Sequence, residues 1–129
     1  MSDQKATRAA VAKTFREHKV QLRKGHWKIQ GADVTWWIDL RADSPLPTAA
    51  LGFEIGAWVA GAGPEPEGGA TDCPLLADQP LGEDPVGQTT ALLTLLRSVS
   101  TLAELDAAVD EDLLPDAYLD ATLREILGR

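Results

Sequence analysis

Cysteine and histidine are scarce in this 129-residue chain, which has one cysteine, Cys73, and two histidines, His18 and His26. A single thiol excludes an intramolecular disulfide and fits a reducing compartment. The two histidines make neither an HExxH pair nor a paired His/Cys spacing, so no zinc motif and no cofactor is read from the chain. Gly61, Gly63, Gly68 and Gly69 form no phosphate cradle, because GxGxxG and GxxxxGK[ST] are both missing. The carboxylate run Asp110-Glu111-Asp112 lacks the DxDxDG pattern of a calcium loop and reads as a solvated face. The N-terminal segment MSDQKATRAAVAKTFREHK contains no apolar run of signal-peptide length, and no later stretch is long and apolar enough to span a bilayer. A cytoplasmic protein without a membrane partner is expected.

The length suits one ordinary domain, and 44% apolar and 25% charged residues are typical of chains that bury a core. Net charge is −8, unevenly spread. Residues 1–28 hold eight of the twelve basic side chains against Asp3 and Glu17, a net +6. The other 101 residues carry four basic and eighteen acidic groups, a net −14. Such polarity fits either a basic patch for an anionic partner or a basic helix lying on an acidic body and neutralising it. The overall acidity opposes phosphate binding and favours the second reading.

Periodicity supplies the elements. Ser2 or Asp3 is placed to cap a helix running to about Lys19, with Val11, Phe15 and His18 on one side. Trp27 and Ile29 then alternate with Lys28 and Gln30. After Gly31-Ala32-Asp33, the residues Val34, Trp36, Ile38 and Leu40 alternate with Thr35, Trp37, Asp39 and Arg41, as in a β-hairpin. Ser44-Pro45-Leu46-Pro47 interrupts. A further strand sets Leu51, Phe53, Ile55, Ala57 and Val59 against Gly52, Glu54, Gly56, Trp58 and Ala60. Residues 61–87 collapse into Gly, Pro, Asp and Glu and read as a long loop, with a short strand as an option around Cys73-Pro74-Leu75-Leu76. Asp84-Pro85 opens a helix, and Thr101-Leu102-Ala103-Glu104 is a capping box that opens another. Leu114-Pro115-Asp116 is expected to start a third, carrying Leu119, Leu123, Ile126 and Leu127 and ending at Gly128. The fold class is α+β in one domain, 1–129: an N-terminal helix, an antiparallel sheet of three or more strands, and C-terminal helices packed on one face.

Aromatic residues are only 5% of the chain, yet four of them are tryptophan. Alternation puts Trp27 and Trp36 on the core face and Trp37 and Trp58 on the other, beside Asp39, Arg41 and Glu54. If open, that face is an apolar platform of the kind found at binding hot spots; if closed, the first helix or the long loop covers it. Arg23, Lys24 and Lys28 form a basic-aromatic cluster with His26 and Trp27, a pattern that holds single-stranded nucleic acid and equally describes a solvated turn. His26 itself reads as a solvated strand-end residue. Cys73, beside Asp72, reads as an inert thiol half-packed against Leu75 and Leu76.

The segment Leu22-Arg23-Lys24-Gly25-His26-Trp27-Lys28 after a charged helix, then Cys73-Pro74-Leu75, then a leucine-rich end containing Leu-Pro, resembles the bacterial domain of unknown function 4304 family. The resemblance implies an α+β fold and, for some such domains, a place in toxin-immunity or defence loci. It supplies no catalytic residue. The long Gly/Pro/acidic insertion and the lack of a basic residue after Pro74-Leu75 depart from the family pattern. The functional expectation is a non-enzymatic protein-interaction domain, of immunity or small regulatory type, that binds a basic partner or a second copy of itself. Two alternatives stand beside it. One is a small-ligand binder or enzyme using the cleft between sheet and loop, with His26, Asp39, Arg41 and Trp58. The other is nucleic-acid binding through the basic N-terminal region.

Overall fold

The computed structural model describes residues 4–42, 44–46 and 49–129. Residues Ser2 and Asp3, read as helix caps, and Pro47 of the interrupting segment lie outside the described residues. Helix α1 (Gln4–Glu17) buries Val11, Thr14 and Phe15. It stops two residues short of the expected Lys19. Lys19 takes a left-handed φ of 58°, and the Val20 N–H reaches back to the Phe15 carbonyl at 3.0 Å. That six-to-one bond is the closure of a Schellman motif.

Six strands follow: β1 (Gln21–Arg23), β2 (His26–Gln30), β3 (Val34–Ala42), β4 (Leu51–Val59), β5 (Leu75–Pro80) and β6 (Tyr118–Leu119). They lie in sequence order in one sheet, and every neighbouring pair is antiparallel. The β1–β2 turn is Lys24-Gly25, with φ of 52° and 84°. Two positive φ values are what a two-residue type I′ hairpin demands. Periodicity alone does not mark β1, because its three residues are all exposed.

Residues 61–87 are not simply a loop. They contain a 3₁₀ turn (Gly69–Asp72) and the six-residue strand β5, which sits between β4 and β6. Leu75 and Ala77 point into the core, so the alternation is present but spans only two inward residues. Helices α2 (Pro85–Ser98) and α3 (Leu102–Asp110) begin at the expected caps. Asp84 accepts from the Gly87 N–H at 3.0 Å, and Thr101 and Glu104 form the reciprocal capping box. The third helix, expected from Leu114, carries Leu123 and Ile126 as expected but starts later. Tyr118 and Leu119 instead pair with Leu76 and Leu75, and helix α4 (Ala121–Ile126) starts after Asp120, which caps the Leu123 N–H at 2.8 Å. Pairing with β5 satisfies the backbone of 118–119, and Pro115 and the left-handed Asp116 (φ 58°) block an earlier helical start.

All four helices lie on one face of the sheet. Its core joins Val11 and Phe15 of α1 to Leu92, Leu93 and Leu96 of α2, Leu105 of α3 and Leu123 of α4, over Trp36, Ile38, Phe53, Ile55, Val59 and Leu75. Phe15 stacks on Trp27 at 4.2 Å between centroids and meets Phe53 edge-on. The Trp36 indole N–H is satisfied by the Val99 carbonyl at 2.9 Å, which ties the sheet to the end of α2.

Candidate functional site

The other face of the sheet carries Trp37, Trp58, Asp39, Arg41 and Glu54, with His26 and Lys28 beside them. Register places Lys28 opposite Trp37, Asp39 opposite Glu54, Trp37 opposite Gly56, and Thr35 opposite Trp58, with His26 one residue before the paired Trp27. This face is not an open platform. The segment between β4 and β5 folds back over it, with the 3₁₀ turn lying on β3 and β4. Trp37 is only 4% exposed. Trp58 is half-buried, and its indole N–H donates to the Gly63 carbonyl at 3.2 Å. Covering two large rings removes apolar surface from water, which offsets the cost of ordering the covering segment.

Two glycines make the close approach possible. A Cβ on Gly56 would lie 2.6 Å from the Ala70 carbonyl oxygen and 2.6 Å from Cys73 Sγ. A Cβ on Gly69, already at φ 79°, would lie 2.4 Å from His26 Nδ1 and 2.6 Å from Asp39 Oδ2. Backbone therefore lies directly on the sheet at both positions.

His26 is not a solvated strand end. Its Nδ1 makes a short hydrogen bond with Asp39 Oδ1, and Asp39 Oδ2 accepts the buried Ala70 N–H at 3.0 Å. The strands thus join two candidates from the sequence, His26 and Asp39, and the covering turn adds a second hydrogen bond to Asp39. The Cys73 thiol points back to the Gly69 carbonyl at 3.6 Å. Burial, then the charges of Asp72 and Asp39, push its pKa up to about 12. A thiol held protonated is a poor nucleophile, and the contacts of Asp39 and Cys73 go to the backbone of the covering turn. Among the described residues no three His, Cys, Asp or Glu side chains are grouped to hold a metal ion.

Of the basic patch only Lys28 is covered, while Arg23 and Lys24 stay exposed. Lys28 is 7% exposed, pairs with Glu65 at 2.9 Å, and lies 5.2 Å from the Trp37 ring centroid. Lys24 pairs with Glu67 at 3.4 Å on the surface. The acidic segment thus pairs two of the three cations in the cluster that reads as a nucleic-acid surface. Arg41 and Glu54, expected at a binding face, pair with each other at 2.5 Å and line a shallow cavity of about 310 Å³ with Asp78 and Gln79.

A different region stays open. β6 covers β5 only at Leu75 and Leu76. Beyond it, Ile55, Ala77, Gln79 and Pro80 face the turn Leu113–Asp116 across a groove of about 440 Å³. Leu113 is 43% exposed there. Asp78 and Asp116 line the rim, with Glu111 and Asp112 next along the chain, and among the described residues none of the four has a basic partner. The Gln79 side-chain carbonyl oxygen is buried without a donor. Asp112 and Asp116 hold left-handed φ values of 54° and 58° at either end of the turn, a conformation that costs energy for a residue other than glycine. Sequence reasoning passed over the groove because its walls come from segments over thirty residues apart.

No protein-family description, curated protein or solved structure matches this chain. Among the described residues no helix is long and apolar enough to cross a membrane.

Proposed function

We propose that the protein is a non-enzymatic interaction domain whose docking site is the groove between β5 and the Leu113–Asp116 turn, and that its partner presents a basic, apolar-anchored segment. The observation that carries this reading is an apolar groove with the exposed Leu113 at its edge, rimmed by carboxylates without basic partners. An exposed leucine beside buried Ile55 and Ala77 gives an apolar side chain of a partner a place to anchor. The carboxylate rim selects a positive partner and steers its approach. The same rim repels a second copy of this acidic chain, which disfavours a homodimer through the groove. An immunity-type role against a basic toxin, implied by the family resemblance, is one form of this reading.

The test is parallel affinity capture from the source cells with the wild type, the groove variant Leu113→Arg/Asp116→Lys, and Trp58→Ser as a control outside the groove. The reading predicts a basic protein held by the wild type and by Trp58→Ser, released by the groove variant and weakened by salt. Partners retained equally by all three baits, or an acidic partner, would sink it.

A further inference from the structure

The segment between β4 and β5 closes a second cavity, of about 220 Å³, lined by Arg23, Lys24, Lys28, Trp37, Glu65, Pro66 and Glu67. Its inventory is unbalanced toward donors. Three cations line it against two carboxylates, and among the described residues Arg23 has no acidic partner. The Trp37 indole N–H is buried and has no acceptor, in a residue only 4% exposed. Buried N–H donors without acceptors are rare in folded proteins and ask for a reason. Lys28 is nearly as buried, and an ammonium at that depth needs an anion beside it. Glu65 supplies one from outside, because its own side chain is 43% exposed.

The covering segment has the form of a strap. Gly61 and Gly63 lie at one end with φ of 95° and 93°, and Gly68 and Gly69 at the other. Between them Pro66 is buried against the cavity, and Glu65 and Glu67 on either side reach Lys28 and Lys24. A glutamate carboxylate held on a glycine-ended strap has the same chemistry as a free anion.

We infer that this cavity is a binding site for a small organic or inorganic anion, with Arg23, Lys28 and the Trp37 N–H as its donors and Glu65 as a built-in occupant that the anion displaces. The volume is below the roughly 300 Å³ at which drug-sized pockets begin, so the ligand is fragment-sized: a short dicarboxylate or a phosphate rather than a nucleotide. The shared chemistry is two or more acceptor oxygens on one compact dianion, met by charged donors and one neutral N–H.

The test is titration of the full chain with malonate and, separately, with inorganic phosphate, at constant ionic strength set with chloride. Calorimetry and tryptophan emission are the readouts. The double variant Glu65→Gln/Glu67→Gln removes the internal occupant and is expected to bind at least one probe about tenfold more tightly than the wild type, the scale of one charge-assisted hydrogen bond. Malonate binding without phosphate binding assigns the site to carboxylates, the converse to phosphates, and both to compact dianions generally. Arg23→Gln, an exposed change that leaves the core untouched, is expected to weaken binding about tenfold when added to that double variant. Trp37→Phe keeps the ring, drops the N–H, and is expected to weaken it as well. The inference is overturned if neither probe saturates the double variant, or if binding survives Arg23→Gln and Trp37→Phe undiminished.

Discussion

Gly56 and Cys73 meet without room for a single methyl group: a Cβ on Gly56 would lie 2.6 Å from the Cys73 sulfur. The contact decides whether the covering turn lies flat on β4. Gly56→Ala is therefore expected to destabilise the protein by about 1–3 kcal/mol, the usual cost of overpacking. It should also lift the turn and expose Trp37. Urea denaturation gives the first quantity, and a red shift of tryptophan emission reports the second. An unchanged midpoint with unchanged emission would mean that the turn is not seated on Gly56.

The Cys73 thiol makes an alkaline prediction. Burial, and then the Asp72 and Asp39 charges, raise its pKa to about 12, against an ordinary thiol value near 8.5 in the unfolded chain. A raised folded pKa contributes stability that is fully present below the unfolded value and is lost as pH rises toward 12. Native Cys73 should thus react slowly with a disulfide reagent at pH 8.5 and quickly in urea. Cys73→Ala should flatten the loss of stability between pH 8.5 and 11. Equal labelling rates in both states would show the thiol to be open.

How far these features could be read from the residues depends on their range. The caps at Asp84-Pro85 and Thr101–Glu104 are local hydrogen-bond devices, so they were legible, and so was the strand alternation in β2, β3 and β4. Strand β5 was half-hidden because its inward set is only Leu75 and Ala77 between prolines. The third helix starts later than expected because pairing with β5 overrode local propensity at Tyr118 and Leu119. His26 and Asp39, thirteen residues apart, become partners only through the β2–β3 register. The sequence signal for the covered face was Gly56 in the middle of a strand, where a missing side chain marks backbone approaching from above. It reads equally well as shallow open ground, and only the position of the turn separates the two.

Glu104 carries an acid-side prediction. Hydrogen bonds from the backbone N–H groups of Ser100 and Thr101, then the Thr101 hydroxyl, hold its carboxyl below the ordinary range. A depressed folded pKa contributes stability present above the unfolded value, near 4.3, and lost as pH falls through the folded one. Melting temperature followed from pH 7 to pH 3 should therefore drop less steeply in Glu104→Gln, which keeps a capping-box side chain but has no charge to lose. Parallel curves for the two proteins would remove Glu104 from the acid transition.

Trp37 and Trp58 share a face but should not behave alike. Trp37 is buried at the centre of that face, beneath the strap, with Lys28 over its ring and His26 against its edge. Trp58 lies half-buried near one end, holding the strap through the Gly63 carbonyl. Trp37→Ser is expected to cost about 3–5 kcal/mol, the scale of deleting a buried tryptophan, and to leave a destabilised protein. Trp58→Ser should cost about 1 kcal/mol, close to one hydrogen bond and part of a ring contact, and should leave the fold intact with a looser strap. Proteolysis between Gly61 and Gly69 should then run faster in the Trp58 variant than in the wild type at equal fractions folded. Had the face been an open platform, both replacements would leave stability unchanged and reduce self-association instead. Equal and small stability losses, with a change in oligomeric state, would restore that reading and show the strap to be displaced in solution.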